Sequence, residues 1–119
     1  MKNTAPFNFT IDYGFGETET CKLFLSADSY NSNDSLAVIA YEMPKGKCVS
    51  PEMFDVITVN IFESDFLVDK DLAYVDTNNC PWAVKLLKET GLAKPTGAYG
   101  HSGFCTYPLY KFDLEKFNK

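Results

Sequence analysis

Phe7, Phe9, Ile11, Tyr13 and Phe15 alternate with Asn8, Thr10, Asp12 and Gly14, a period of two that predicts a strand with one buried face. Gly14 and Gly16 permit a turn after it. A second alternation follows, with Cys21, Leu23, Leu25 and Ala27 on one side and Thr20, Lys22 and Ser26 on the other. Phe24 interrupts the polar side, so that side is expected to be partly covered as well. The two strands are predicted to form a hairpin.

Asp28 to Ser35 reads as a polar loop, and Leu36 to Met43 as a continuous apolar strand. Pro44-Lys45-Gly46 reads as a turn. Met53 to Phe62 is rich in β-branched residues and predicts one further strand. Leu72 to Val75 fits a short strand or an extended lead into the next element.

One helix is expected, from about Pro81 to Thr90. Pro81 suits a first turn, where its missing N–H is not needed. Asn78, Asn79 or Cys80 precedes it as cap, and asparagine has the better chemistry. Ala83, Leu86 and Leu87 share one face, with Trp82 beside them, while Lys85 and Lys88 take the wet face. Gly91 is the expected left-handed terminator.

Ala93 to Gly103, with Pro95, Gly97, Gly100 and Gly103, predicts a long loop. Phe104 to Phe112 predicts a last strand, and Pro108 argues that it lies at an edge or carries a bulge. Asp113 to Lys119 reads as a terminal helical turn or a frayed end. Strands followed by a lone helix predict an α+β fold: a mainly antiparallel sheet of about five or six strands, with the helix on one face.

Length and composition fit one domain over residues 1–119: 45% of the residues are hydrophobic and 23% charged, with ten Phe, seven Tyr and one Trp to build a core. The formal net charge is −5, and all eleven basic residues are lysine. Arginine supplies the planar fork that grips phosphates and bases, so direct nucleic-acid binding is not expected. A surface that imitates nucleic acid is not excluded by charge. Met1 to Thr10 has no signal-peptide pattern, and the longest apolar stretch, Leu36 to Tyr41, is too short to span a bilayer. A cytoplasmic protein with no membrane partner is therefore expected, with Cys21, Cys48, Cys80 and Cys105 reduced. The sequons at Asn8 and Asn33 are chance in such a chain.

Candidate chemistry is thin. Seven carboxylates lie between Glu52 and Asp76 against a single lysine, Lys70. Glu63, Asp65, Asp69 and Asp71 flank an expected turn there and could meet a protein partner with a basic surface. The spacing lacks the glycine and final glutamate of a calcium loop, and a solvated run is the plain alternative. His101 is the only histidine, with Cys105 four residues on. Such a pair could activate a thiolate, yet no oxyanion signature or orienting residue accompanies it. No zinc spacing occurs, so neither a metal nor a cofactor is expected. Gly97, Gly100, His101, Ser102 and Gly103 suggest a phosphate loop but lack its Lys-Ser/Thr end. Tyr99, Tyr107 and Tyr110 beside it suit either a protein contact or a buried edge.

The strings Ala73-Tyr74-Val75-Asp76-Thr77-Asn78-Asn79-Cys80-Pro81-Trp82 and Ser102-Gly103-Phe104-Cys105-Thr106-Tyr107-Pro108-Leu109-Tyr110, with Gly91-Leu92-Ala93 and Thr96-Gly97 between them, carry a resemblance over residues 55 to 112. There the chain resembles short, functionally uncharacterised bacterial proteins of Firmicutes and other gut bacteria, often carried on conjugative elements and prophages. The resemblance implies a cytosolic accessory protein and brings no catalytic residues. Three readings follow: a binding module using the acidic region, the glycine loop or the edge near Pro108, one version being an inhibitor of a host defence protein; an enzyme or ligand-binding protein using 97–103 with Cys105; or a structural accessory joined through its edge strand. Asn78 and Asn79 are candidates for the partner contact. The oligomeric state is not legible.

Overall fold

The computed structural model describes residues 2–30, 36–44, 50–61 and 71–118. Alternation builds the first hairpin as expected, except that Phe15, expected on the buried face, lies beyond the strand in the turn and is fully exposed. Strands β2 (Phe7–Gly14) and β3 (Glu17–Ser29) pair antiparallel, with Phe9 opposite Cys21 and Ile11 opposite Glu19. Phe9, Ile11, Cys21, Leu23 and Leu25 are buried. β3 runs longer than the alternation predicts, because Glu17–Glu19 pair with β2 and Asp28–Ser29 pair with β4; a two-residue strand β1 (Lys2–Asn3) pairs with Ser26 and Ala27. Thr4 holds that junction, its hydroxyl accepting the Leu25 N–H at 3.0 Å. β4 (Leu36–Glu42) covers the other side of β3, and β5 (Glu52–Val56) pairs with β4.

The single strand expected over Met53 to Phe62 is two strands in two sheets. Leaving β5, the chain turns a corner at Ile57. Its N–H donates to Val38 O at 3.0 Å in the first sheet, and its carbonyl accepts the Asp76 N–H at 2.8 Å from the second. β6 (Thr58–Val59) then opens the second sheet. β-branched residues favour extended backbone but do not say with which sheet it pairs. The Thr58 hydroxyl locks the corner by accepting the Val38 N–H at 3.1 Å. The Tyr30 hydroxyl donates to Thr58 O, also at 3.1 Å.

The second sheet has the order β6, β7 (Leu72–Val75), β9 (Cys105–Phe112), β8 (Ala93–Ser102), all antiparallel. Two expectations are corrected here. The stretch 93–103 is not a loop: it forms β8, the edge strand. Its register shifts between Pro95 and Tyr99, where Gly97 takes a positive φ, and this irregularity absorbs the proline and glycine. The last strand, β9, is not at the edge but lies between β7 and β8; the expected alternative, an irregular register, holds, since the shift falls between the pairs Pro95–Tyr110 and Tyr99–Pro108. Pro108 is tolerated because the β7 ladder stops at Leu109, so the missing N–H costs no bond on that side.

Helix α1 (Ala83–Thr90) connects β7 to β8, and Gly91 ends it in the left-handed conformation with φ 68°. No asparagine caps its start; Trp82 is the N-cap and makes no side-chain cap bond. Asn79 is used by Asp76, which accepts both its backbone N–H at 3.1 Å and its side-chain amide at 2.9 Å. Trp82 packs the helix to the first sheet, 5.4 Å edge-on to Phe54 and 6.3 Å from Phe9. A 3-10 turn (Leu114–Lys116) follows β9 and buries Phe117 against Phe112. One buried cluster draws on both sheets and the helix, including Leu23, Val38, Ile57, Val75, Leu86, Leu87 and Phe112. Among the described residues the architecture is α+β, mainly antiparallel sheet with one helix. The expected turn at 44–46 falls largely, and the acidic positions Glu63, Asp65 and Asp69 fall wholly, outside the described residues.

A candidate protein-binding ribbon

Strand alternation decides where each candidate of the 97–110 region points. On β9, Tyr110 and Phe112 face the shared core, while Cys105, Tyr107 and Leu109 face the opposite side of the sheet. There they join a second buried cluster with Val59, Ile61, Leu72 and Tyr74. Tyr107 and Tyr110 are therefore packing residues, 8% and 5% exposed. The Cys105 thiol beside Tyr107, together with burial, pushes that phenol up from its ordinary value. Burial does the same for Tyr110.

Past the end of β7, β8 and β9 continue as a two-stranded ribbon. His101 stands opposite Thr106, and its Nδ1 lies 3.0 Å from the Thr106 hydroxyl. Cys105 stands opposite Ser102, on the other face. The imidazole and the thiol that sequence spacing pairs are thus set on opposite faces. Four residues is an even helical step, but a hairpin turn at Gly103-Phe104 intervenes and fixes a different partner for each. Gly97 and Gly103 have positive φ and Gly100 is buried under Tyr74, so these glycines shape the ribbon.

What the ribbon offers is surface. Between Lys94 and Lys111 there is no charged residue, the longest such stretch in the chain. It is nonetheless largely exposed: Pro95 to Tyr99, His101 to Phe104 and Thr106 are all open to solvent. Phe104 at the tip is fully exposed (109%), and Tyr99 is 64% exposed. A phenyl ring left wholly in water forgoes about 2 kcal/mol of burial. Aromatic, glycine, serine and threonine residues without charge are the composition of protein-contact surfaces, where rigid rings supply area and small polar groups adapt.

The other sequence candidates scatter. Asp71 is half-buried and pairs with Lys111 at 3.8 Å, so it serves the second sheet. Asn78 is exposed in the turn before the helix, and Asn79 is engaged by Asp76. Asp76, which the sequence shows only as one of the acidic run, is buried, and its hold on Asn79 depends on a turn three residues long that no periodicity signals.

Tertiary pairing also gathers Glu19, Cys21 and Glu42, whose ligand atoms lie within 4.8 Å of one another. These donor types suit a divalent cation. Burial, and then hydrogen bonding to Glu42 and Glu19, push the Cys21 thiol up to about 11, so a cation bound here would have to displace its proton. We assign no metal to it. Cys80, fully buried and donating to Val56 O at 3.5 Å, is pushed up to about 12, first by burial and then by Asp55. Both thiols stand above their ordinary 9.0 in the fold, so the protonated form is the one the fold favours. Their stabilisation is complete below pH 9.0 and is lost as pH rises through the folded values. The thermal midpoint, measured in reductant, is expected to hold up to about pH 9 and then fall, with a shallower fall in Cys80→Ala. A wild-type midpoint level up to pH 11 would contradict the burial of both thiols.

Among the described residues no helix is long and apolar enough to cross a membrane. A family model described as a domain of unknown function, DUF4313, matches residues 24–119, which takes in the whole ribbon. No curated protein and no solved structure matches the chain.

Proposed function

Since this chain belongs to the DUF4313 family of domains of unknown function, no reaction comes to it by relationship, and we propose that it is a non-enzymatic module that binds a protein partner through the β8–β9 ribbon. The observation that carries this reading is the fully exposed Phe104 at the tip of an uncharged, largely solvent-exposed hairpin. Interfaces place their binding energy in such aromatic anchors, surrounded by contacts that exclude water. The acidic balance of the rest of the chain favours a partner with a basic surface, drawn by long-range attraction and held by the uncharged ribbon. Glu63, Asp65, Asp69 and Asp71 belong to that steering charge in this reading. A bacterial accessory role on a mobile element, including inhibition of a host defence protein in the cytoplasm, is the specific version implied by the resemblance.

Phe104→Ser and Tyr99→Ser are expected to fold normally, because neither ring is packed. Each should reduce capture of the partner recovered by the wild-type chain from a host lysate, and the double variant should reduce it by at least about thirtyfold. Equal recovery of the same partner by the double variant would remove the ribbon from consideration.

A further inference from the structure

The tip joining β2 and β3 has the sequence Gly14-Phe15-Gly16, and all three residues have positive φ: 87°, 56° and 78°. Phe15 is the one non-glycine residue among those described that does so. A bulky side chain in the left-handed region is strained, and glycine or asparagine would sit there more easily. The ring gains nothing in return, being fully exposed (106%). Nor does the turn need it. The Asp12 carboxylate accepts the Gly14 N–H at 2.8 Å, and the Thr10 and Thr20 hydroxyls bond across the hairpin at 2.8 Å. Backbone strain and full exposure are two separate costs to folding at one residue, and an observed outlier of this kind points to a contact made outside the chain.

The charge around this tip differs from that around Phe104. Asp12 and Glu17, one on each strand beside the tip, are exposed, and no lysine occurs between Asn3 and Cys21. We propose that the β2–β3 tip is a second protein-docking point. In it Phe15 enters an apolar pocket whose rim carries Lys or Arg side chains that meet Asp12 and Glu17. Two carboxylates flanking an anchor, with no lysine nearby, favour a basic protein rim and disfavour an anionic lipid surface, which would repel them. The tip lies outside residues 24–119 and shares no residue with the ribbon.

The test uses the full chain as bait for a displayed library of short random peptides, selected on wild type and counter-selected on Phe15→Gly. Enriched peptides are expected to combine Lys or Arg with Leu, Phe or Trp, and to weaken with added salt. They should bind Phe15→Gly at least about tenfold less tightly while binding Phe104→Ser unchanged. The thermal midpoint of Phe15→Gly should equal or exceed that of wild type, because strain is relieved and no packing is lost. Peptides that bind Phe15→Gly equally, that lack basic residues, or that fail to enrich at all would overturn the proposal. So would a lowered midpoint in Phe15→Gly, or Phe15-dependent sedimentation with phosphatidylcholine vesicles.

Discussion

Ile57→Ala is expected to lower the unfolding free energy by about 3 kcal/mol, within the range of roughly 2–5 found for such truncations in well-packed cores. The side chain is fully buried in the cluster shared by both sheets. Its neighbours are held by backbone bonds on either side, from Ile57 N–H to Val38 O and from Asp76 N–H to Ile57 O. A cavity there cannot close by shifting one strand, because each flanking strand is tied to a different sheet. Ile57→Val should cost only about 1 kcal/mol, since most of the volume is kept. Denaturant unfolding of the two variants measures both values. For a domain with a total stability of about 5–15 kcal/mol, the alanine variant should show a large fall in midpoint. A loss below about 1 kcal/mol for Ile57→Ala would mean that the corner is not a packed junction.

Gly100→Ala is expected to cost about 2 kcal/mol for a steric reason. A Cβ at this position would lie 2.5 Å from Tyr74 Cε1, 2.7 Å from Tyr74 Cζ and 3.0 Å from Ile61 Cδ1. Tyr74 is itself 6% exposed, so its ring has little open space to move into. Gly97→Ala supplies the contrast. A Cβ there meets nothing within 4 Å, but the φ of 90° is disfavoured for alanine. That substitution should cost only about 1 kcal/mol, from backbone strain alone. Thermal or denaturant unfolding of both variants separates close packing from conformation. Equal losses would show that Gly100 is required for its backbone and not for the approach of Tyr74.

The two substitutions fall where reading the sequence met its limits. Period-two alternation identified β2 and β3, because one-sided burial writes itself directly into a strand, and a continuous apolar run identified β4. The helix and its Gly91 terminator were legible for a similar local reason. Its start was not: Asn79 has the right chemistry for a cap, but a neighbouring carboxylate, Asp76, claims it first. The stretch 93–103 was unreadable as a strand because its glycines and Pro95 are common loop residues, and only pairing with β9 makes the chain extended there. For the candidate site, the residues of 97–105 were visible as an unusual composition. Their separation onto two faces, which splits His101 from Cys105, appears only with the register of the hairpin.

From sequence alone came the class of fold, the positions that alternate inward and outward, the helix, the absence of arginine and the acidic balance. Each of these is set by neighbours along the chain or by a simple sum over it. The tertiary structure decided the division into two sheets at Ile57, the interior place of the Pro108 strand, the burial of Tyr107 and Tyr110, and the exposure of Phe15 and Phe104 at two hairpin tips. Those depend on which distant segments pair, and pairing is governed by burial and hydrogen bonding between residues that are far apart in sequence.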